Sequence, residues 1–250
     1  MKMKNRNWIY SLLQMGVCFV IMTSCLKIED LRPVLSPITF NPGLTYGTVS
    51  DVDGNTYKTI TIGTQSWMAE NLRTTKYRNG EAIPNVTDAT AWKGLTSGAC
   101  CRYNNTTNND TIATFGLLYN WYAATDSRNI APDGWHIPSD AEWTTLTTFL
   151  LGDTIAGGKL KEADISHWKN FTGTNVGATN ETGFTALPGG SRSYESALKF
   201  AGLKYNGLWW SSTEFSATAA WFRVMTSGYK SVGRKSVNKY DGFSLRCIKD

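Results

Sequence analysis

Alternating apolar and polar positions predict β-strands where the main body of the chain begins. The run VSDVDGNTYKTITIG alternates on both sides of Asp53 and Gly54, and an Asp-Gly pair between two such runs is typical of a β-hairpin turn. Further strand positions follow at Ile60, Ile62, Trp67 and Met68. This part of the chain is therefore predicted to form a small antiparallel sheet.

A calcium loop is the alternative interpretation of the same turn. Asp51, Asp53 and Asn55 have the spacing with which such a loop begins, but Ile62 occupies the position that requires glutamate. The hairpin is favoured for this reason. No other group of residues has metal-ligand spacing, and the sequence predicts neither a metal nor a cofactor.

Helical spacing of apolar residues predicts two helices. The first lies in FGLLYNWYAATDS and the second in SDAEWTTLTTFLLG. The buried positions predicted for them are Leu117, Leu118, Trp121 and Tyr122 in the first, and Trp143, Leu146, Phe149 and Leu150 in the second. The polar, Asn- and Thr-rich run that precedes the first helix, TDATAWKGLTSGACCRYNNTTNNDT, is predicted to be a long surface loop.

His136 lies in GWHIPSDAEW, close to two tryptophans and two carboxylates, and could belong to an active site. Ser139 and Glu142, however, have the spacing of a capping box at a helix N-terminus, and Asp140 suits the positive end of the helix dipole. There is no G-x-S-x-G motif and no H-x-x-x-H pair. The interpretation is that His136 is structural and that the chain has no catalytic residue.

Three short aromatic or β-branched runs near the C-terminus, GLWWSSTE, TAAWFRVM and YDGFSLRCIKD, predict three closing antiparallel strands. Two polar loops, YESALKFAGLKYNG before the first of them and TSGYKSVGRKSVNKY after the second, then place their side chains in solvent. Tyrosines beside adaptable polar groups make a good recognition surface. The predicted ligand-binding residues are Tyr194, Tyr205, Tyr229, Lys230, Arg234 and Asn238.

The N-terminus is typical of an export signal. A basic start is followed by an apolar stretch that ends in MTSC, which resembles a bacterial lipobox with Cys25 as the lipidated residue. An ordinary signal peptide is the alternative. The predicted organisation is a lipoprotein signal over residues 1–24, a proline-containing tether over 25–47 and one domain over 48–250.

The net charge of the chain bears on which partners are expected. The signal removes three of the 25 basic residues and none of the 20 acidic ones, which leaves 22 against 20. This near balance gives no reason to expect nucleic acid as a partner. No later stretch has the roughly 20 apolar residues of a spanning helix, so contact with a membrane is predicted only through the lipid.

Three cysteines remain after the signal and the lipidation site: Cys100, Cys101 and Cys247. Export to an oxidising compartment makes one disulfide plausible, and adjacent cysteines rarely pair with each other. The sequence therefore predicts a bridge from Cys247 to Cys100 or Cys101.

Several longer runs resemble the Fibrobacter succinogenes major paralogous domain. They are DVDGNTYKTITIGTQSWMAENLRTTKYRNG, FGLLYNWYAA, GWHIPSDAEWTTL, GGKLKE, GATNETGFTALPGG, WWSSTE and GFSLRCIKD, in order over about residues 48–250. The resemblance implies an exported bacterial protein, often a lipoprotein and often from Bacteroidetes. It also implies an α+β, C-type-lectin-like fold with short antiparallel sheets, two helices and long loops. Ala131 occupies a position where the family usually has cysteine, which weakens the predicted bridge to Cys247.

The function expected from this resemblance is binding by an uncharacterised, lectin-like domain. Such folds recognise ligands through loops, and the ligand expected here is a glycan or a surface protein. The motifs of calcium-dependent sugar binding are absent from the sequence. The expected location is the outer membrane, facing the cell surface or the periplasm. The alternatives are an oxidoreductase like the formylglycine-generating enzymes, through Cys100 and Cys101, and a structural surface protein with no discrete ligand.

Overall fold

The computed structural model of the chain describes residues 35–169, 173–193 and 199–250, which form a mixed α and β structure. The strands are β1 (Gly47–Ser50), β2 (Thr56–Ile62), β3 (Gln65–Met68), β4 (Cys100–Cys101), β5 (Leu118–Tyr119), β6 (Trp135–His136), β7 (Ser191–Arg192), β8 (Phe200–Ala201), β9 (Asn206–Glu214), β10 (Ala219–Thr226), β11 (Gly233–Asn238) and β12 (Ile248–Lys249). The helices are α1 (Ala89–Lys93), α2 (Asn109–Phe115), α3 (Trp121–Ala124), α4 (Asp140–Phe149) and α5 (Asp153–Leu160), with a 3₁₀ turn at Tyr103–Asn105. None of these helices has the length and apolar character that a bilayer crossing requires.

A five-stranded sheet joins the two ends of the described chain. Its order is β1-β2-β3-β12-β6, and its neighbouring strands are antiparallel. The predicted hairpin is confirmed between β1 and β2, where Asp51 accepts hydrogen bonds from the backbone amides of Asp53 and Asn55 at 3.0 and 2.9 Å. The carboxylate of Asp51 therefore closes the turn, which accounts for its calcium-like spacing.

The predicted closing strands are partly wrong. β9 and β10 lie in the expected runs and pair with each other, but the third strand of their sheet is β11. This strand lies in the basic run that was expected to be a loop, so Arg234 and Asn238 are strand residues. An edge strand needs few apolar residues, because one of its edges faces solvent. The expected third strand instead ends in β12 of the five-stranded sheet.

The polar run over residues 87–111 is not a plain surface loop. It contains α1, β4 and the start of α2, and Trp92 is buried there with Cys101. Asp88 caps α1 by accepting from the amide of Ala91, and Asn108 caps α2. The Asn and Asp residues that suggested a loop are thus helix N-caps, a position that these residue types favour.

The two predicted helices differ in part from the observed ones. In the first run, β5 precedes a helix of only four residues, because Asn120 caps α3 and starts it after the strand. In the second, the capping box of Ser139 and Glu142 is confirmed at the start of α4. Trp143 and Leu146 are buried as predicted, whereas Phe149 is 59% exposed at the end of the helix.

Part of the predicted tether packs on the domain. Phe40, Leu44 and Tyr46 lie against the apolar cluster that contains Trp67 and Trp143, and the ammonium of Lys58 lies 4.0 Å from the Phe40 ring. The described part of residues 25–47 therefore belongs to the folded unit rather than to a free linker. Cys25 lies outside the described residues.

The predicted disulfide is absent from the structure. Cys100, Cys101 and Cys247 are all free and buried. Successive residues of a strand face opposite sides, so Cys101 packs beside Trp92 while Cys100 and Cys247 belong to a different apolar cluster. The sulfur of Cys100 is 3.8 Å from the carbonyl oxygen of Ile83.

A buried arginine links distant parts of the fold. The Arg246 guanidinium donates to the side-chain oxygen of Asn71 at 3.0 Å, and also to the carbonyls of Met68, Phe184 and Thr185. The amide group of Asn71 donates in turn to the carbonyl of Phe115 at 2.9 Å, and its oxygen accepts from the indole of Trp209 at 3.0 Å. Burial lowers the pKa of Arg246 to about 9.

Arg246→Met should destabilise the protein strongly. The substitution leaves several buried acceptors without a donor, and we expect a loss of about 2–4 kcal/mol in the free energy of unfolding. Chemical denaturation of the full chain measures it. Lys249→Met, at an exposed position of the same terminal segment, is the matched control and should change stability by less than about 0.5 kcal/mol. Equal stability of the two variants would contradict the role given to Arg246.

Candidate functional site

A surface cavity of about 520 Å³ lies at one end of the β9–β10–β11 sheet. It is lined by Gly202, Tyr205, Asn206, Thr226, Ser227, Gly228 and Tyr229. Two of the predicted ligand-binding residues, Tyr205 and Tyr229, are in this lining, with 39% and 70% of their surface exposed. The structure thus brings together two aromatic side chains that are far apart in the sequence.

Strand pairing explains why these tyrosines meet. β9 begins at Asn206 and β10 ends at Thr226, and these two residues are opposite each other in the antiparallel register. The turn before β9 and the turn after β10 therefore lie at the same end of the sheet. They are also joined directly, because the amide of Ser227 donates to the carbonyl of Tyr205 at 2.9 Å.

Lys161 stabilises the turn that follows β10. Its side chain is buried, and its ammonium donates to the carbonyls of Val176, Thr226 and Tyr229 at 3.0, 3.1 and 2.9 Å. Three donors thus meet three acceptors, which is the full capacity of an ammonium group. Burial lowers the pKa of Lys161 to about 8. Lys161, which was not among the predicted binding residues, therefore fixes the backbone beside the cavity.

A second cavity, of about 240 Å³, adjoins the first at Tyr205. Its other lining residues are Ile165, Trp168, Lys169 and Gly173. The indole of Trp168 is fixed by a hydrogen bond of 2.8 Å to the carbonyl of Ala186. The sequence analysis missed this part of the site, as well as Asn206, Thr226 and Lys161. The antiparallel pairing of the runs GLWWSSTE and TAAWFRVM was the signal that could have placed their flanking turns together.

Lys230 and Arg234, which were also predicted to bind ligand, do not line the main cavity. Lys230 follows Tyr229 and is exposed, with its aliphatic stem against Gly177. Arg234 forms an ion pair of 2.9 Å with Asp140 and lies 3.5 Å from the ring centre of Trp221.

Asn238 does not line the main cavity either. The side chain of Asn238 donates to the hydroxyl of Tyr240 at 2.9 Å. Tyr194 lies outside the described residues. The site is therefore centred on Tyr205 and Tyr229.

His136 has a structural environment, remote from this cavity. Its two ring nitrogens are 2.8 Å from a carboxylate oxygen of Glu142 and 2.6 Å from one of Asp250. Glu142 also accepts from the backbone amide of Ser139, which completes the capping box. Burial alone lowers the pKa of His136, but its contacts with the two carboxylates raise it overall.

His167 lies in a buried polar group that could hold a metal by residue type. The possible ligand atoms of Glu162, Asp164 and His167 lie within 4.8 Å of one another. Each is already engaged, however: Nδ1 of His167 is 2.8 Å from Glu162, which accepts from the amide of Thr39, and Asp164 accepts from the Thr39 hydroxyl. Nε2 of His167 lies 2.9 Å from the carbonyl oxygen of Ser36. The group therefore fastens the segment that precedes β1.

One family matches the chain: the Fibrobacter succinogenes major domain, over residues 60–249. The chain belongs to this family. No curated protein and no solved structure matches it.

The runs that carry the resemblance to the Fibrobacter succinogenes major domain meet in the buried network of Arg246. MAENLR contributes Asn71, GFTALPGG contributes the carbonyls of Phe184 and Thr185, and WWSSTE contributes Trp209. The tyrosines of the cavity lie outside these runs. In this member of the family, the recognisable motifs build the scaffold and the cavity is formed by the turns between them.

The contact between His167 and Ser36 should depend on pH. Both partners of the ring, a carboxylate and a carbonyl, are acceptors, so the imidazolium satisfies both and the neutral ring only one. Burial alone lowers the pKa of His167, but Glu162, the Ser36 carbonyl and Asp164 raise it overall. The stabilisation is therefore complete below the unfolded pKa of about 6.5 and is lost as pH rises through the raised folded pKa.

Hydrogen exchange at the Thr39 amide, followed between about pH 5.5 and 8, measures this loss after correction for intrinsic exchange. Exchange should accelerate with pH in a chain that carries His136→Gln, which removes the other histidine. Adding His167→Gln should abolish that acceleration. The same pH dependence in both chains would contradict the assignment.

Proposed function

We propose that this chain is a lipid-anchored binding module of the cell envelope, with a C-type-lectin-like domain that recognises a glycan or a protein. The observation that carries the proposal is the shared cavity of Tyr205 and Tyr229. Two exposed aromatic residues on adjacent turns, held by a sheet, follow the general pattern in which loops on a rigid scaffold carry the binding residues.

The composition of the cavity supports binding. Tyrosine offers a large amphipathic contact area at a small cost in conformational entropy. The hydroxyl of Thr226, at the cavity wall, is buried and has no hydrogen-bond partner among the described residues. Asn206 and Ser227 add further polar groups to a wall whose exposed surface is mainly apolar. A few polar groups within such a wall are typical of ligand sites.

Rigidity also supports binding. The carbonyls of Thr226 and Tyr229 are both fixed by Lys161, and the turn of Tyr205 is closed by hydrogen bonds from the amides of Tyr205 and Asn206 to the carbonyl of Gly202. A ligand that enters the cavity therefore orders little backbone. Preorganisation of this kind reduces the free-energy cost of association.

Binding is favoured over thiol chemistry by the state of the cysteines. Burial raises the pKa of Cys100 to about 12 and that of Cys101 to about 11. A reactive cysteine requires a lowered pKa and access to solvent. Cys100 and Cys101 meet neither condition, which argues against an oxidoreductase that uses these two residues.

The lectin-like fold and the envelope location rest on separate grounds. Short antiparallel sheets, with recognition turns on a sheet distinct from the one that joins the chain ends, support the fold. The basic start, the apolar stretch and MTSC support export and lipidation at Cys25. The outer membrane is the proposed location of the anchored domain.

The double variant Tyr205→Ala/Tyr229→Ala should lose binding to ligands found on an array of glycans and envelope proteins. Both side chains are exposed, so the melting temperature should change little. Phe215→Ala, at another exposed aromatic residue outside the cavity, is the matched control and should bind normally. Full retention of binding in the double variant would move the site elsewhere, with the turn around Tyr103 as the next candidate.

Cys25→Ala should release the protein from the membrane fraction or leave its precursor unprocessed. The lipid contributes about 0.8 kcal/mol for each buried methylene group, and the variant has no residue to carry it. Metabolic labelling with a fatty acid, followed by fractionation, makes the comparison with the natural chain. Absence of label in the natural chain would contradict lipidation.

A further inference from the structure

The two cavities share Tyr205 in their linings, and they are referred to together as the cleft. Tyr229 lines the larger cavity, and Trp168, which is fully buried, lies behind the smaller one. The segments that carry Trp168 and Tyr205 are joined by a hydrogen bond of 2.6 Å from the amide of Lys169 to the carbonyl of Lys204. A ligand with at least two consecutive rigid units fits this arrangement better than a single small molecule.

Two lysines lie close together at the cleft. Lys169 lines the smaller cavity, and Lys204 precedes the shared tyrosine in the chain. Burial and the nearby charge of Lys169 together lower the pKa of Lys204, as expected for two ammonium groups held close together. Among the described residues, neither lysine takes part in an ion pair, and no aspartate or glutamate lines either cavity.

The carboxylates of the neighbouring segment make their hydrogen bonds with groups other than these lysines. Glu162 faces His167 at 2.8 Å, and Asp164 accepts from the hydroxyl of Thr39 and the amide of Ser166. The mature chain is also close to electrical balance, with 22 basic and 20 acidic residues by the count made above. The charge of the cleft is thus a local feature and not a result of a generally basic surface.

We propose that the cleft binds an acidic polysaccharide, with one sugar ring between Tyr205 and Tyr229 and an anionic group of the next unit beside Lys169 and Lys204. This inference rests on the proposed function of the Tyr205–Tyr229 cavity. Sugar rings present a flat apolar face to an aromatic ring, and their hydroxyls can pair with Asn206, Thr226 and Ser227, which both donate and accept hydrogen bonds. Carboxylate and sulfate groups share the required charge.

The test compares three oligosaccharide probes: oligogalacturonate, its carboxyl-reduced neutral counterpart and a sulfated galactan oligomer. Calorimetry is carried out on the full chain in a non-ionic detergent without a sugar headgroup. The two acidic probes should bind more tightly than the neutral one, and their affinity should fall as salt is added. The stronger of the two acidic probes identifies the anionic group.

Lys169→Gln/Lys204→Gln should weaken the acidic probes about three- to tenfold and leave the neutral probe unchanged, because two exposed ionic contacts are lost. Lys235→Gln, at an exposed position of β11 outside both cavities, is the matched control and should have no effect. Tyr205→Ala/Tyr229→Ala should abolish the binding of all probes.

The outcomes separate the two proposals. Equal affinity for the acidic and neutral probes, lost only in the tyrosine variant, would overturn the acidic ligand and leave the binding site in place. Acidic binding that persists in the tyrosine variant would overturn the cavity itself. Lysine-dependent binding of poly-glutamate without binding of any sugar probe would overturn the polysaccharide and assign the cleft to an acidic protein.

Discussion

The fold depends on placing one guanidinium group in a dry interior. Arg246 has no exposed surface, and its partners are the carbonyls of Met68, Phe184 and Thr185 together with Asn71. Removing an ion of this size from water costs several kcal/mol, so the site is tolerable only when nearly every donor has an acceptor. Three segments that are distant in the chain must therefore reach this point together. The terminal strand, the segment after β3 and the loop around Phe184 are held in place by that requirement.

Asn71 extends the constraint to the sheet that carries the cavity. Its side-chain oxygen accepts from both Arg246 and Trp209, and Trp209 is in β9, whose first residue is Asn206. A strand that is fixed at its centre also fixes the turn at its end. The position of Tyr205 is therefore determined in part by a buried polar network that does not contact the cavity.

Local chemistry explains which parts of the structure could be predicted. The hairpin at Asp53 and Gly54 and the capping box at Ser139 and Glu142 depend on residues a few positions apart, and both are confirmed. Tyr205 and Tyr229 were predicted as exposed loop residues, but their proximity depends on the pairing of β9 with β10. The two runs were predicted as antiparallel strands, but the register that places Asn206 opposite Thr226 is set by tertiary contacts.

The errors have equally specific causes. β11 was predicted as a loop because it is basic and polar, and an edge strand tolerates such residues. Asp88 and Asn108 were taken as loop residues because the same side chains that favour turns also cap helices. Cys101 and Cys247 lie in separate apolar clusters, an arrangement that depends on tertiary packing and not on local sequence.

The burial of the three thiols affects how readily they are oxidised. Burial raises the pKa of Cys100 and Cys101, so the thiolate, which is the species that exchanges and oxidises, is scarce at neutral pH. The native structure contains no disulfide among its described residues. Oxidation or exchange of these three thiols in the folded domain therefore requires local unfolding first.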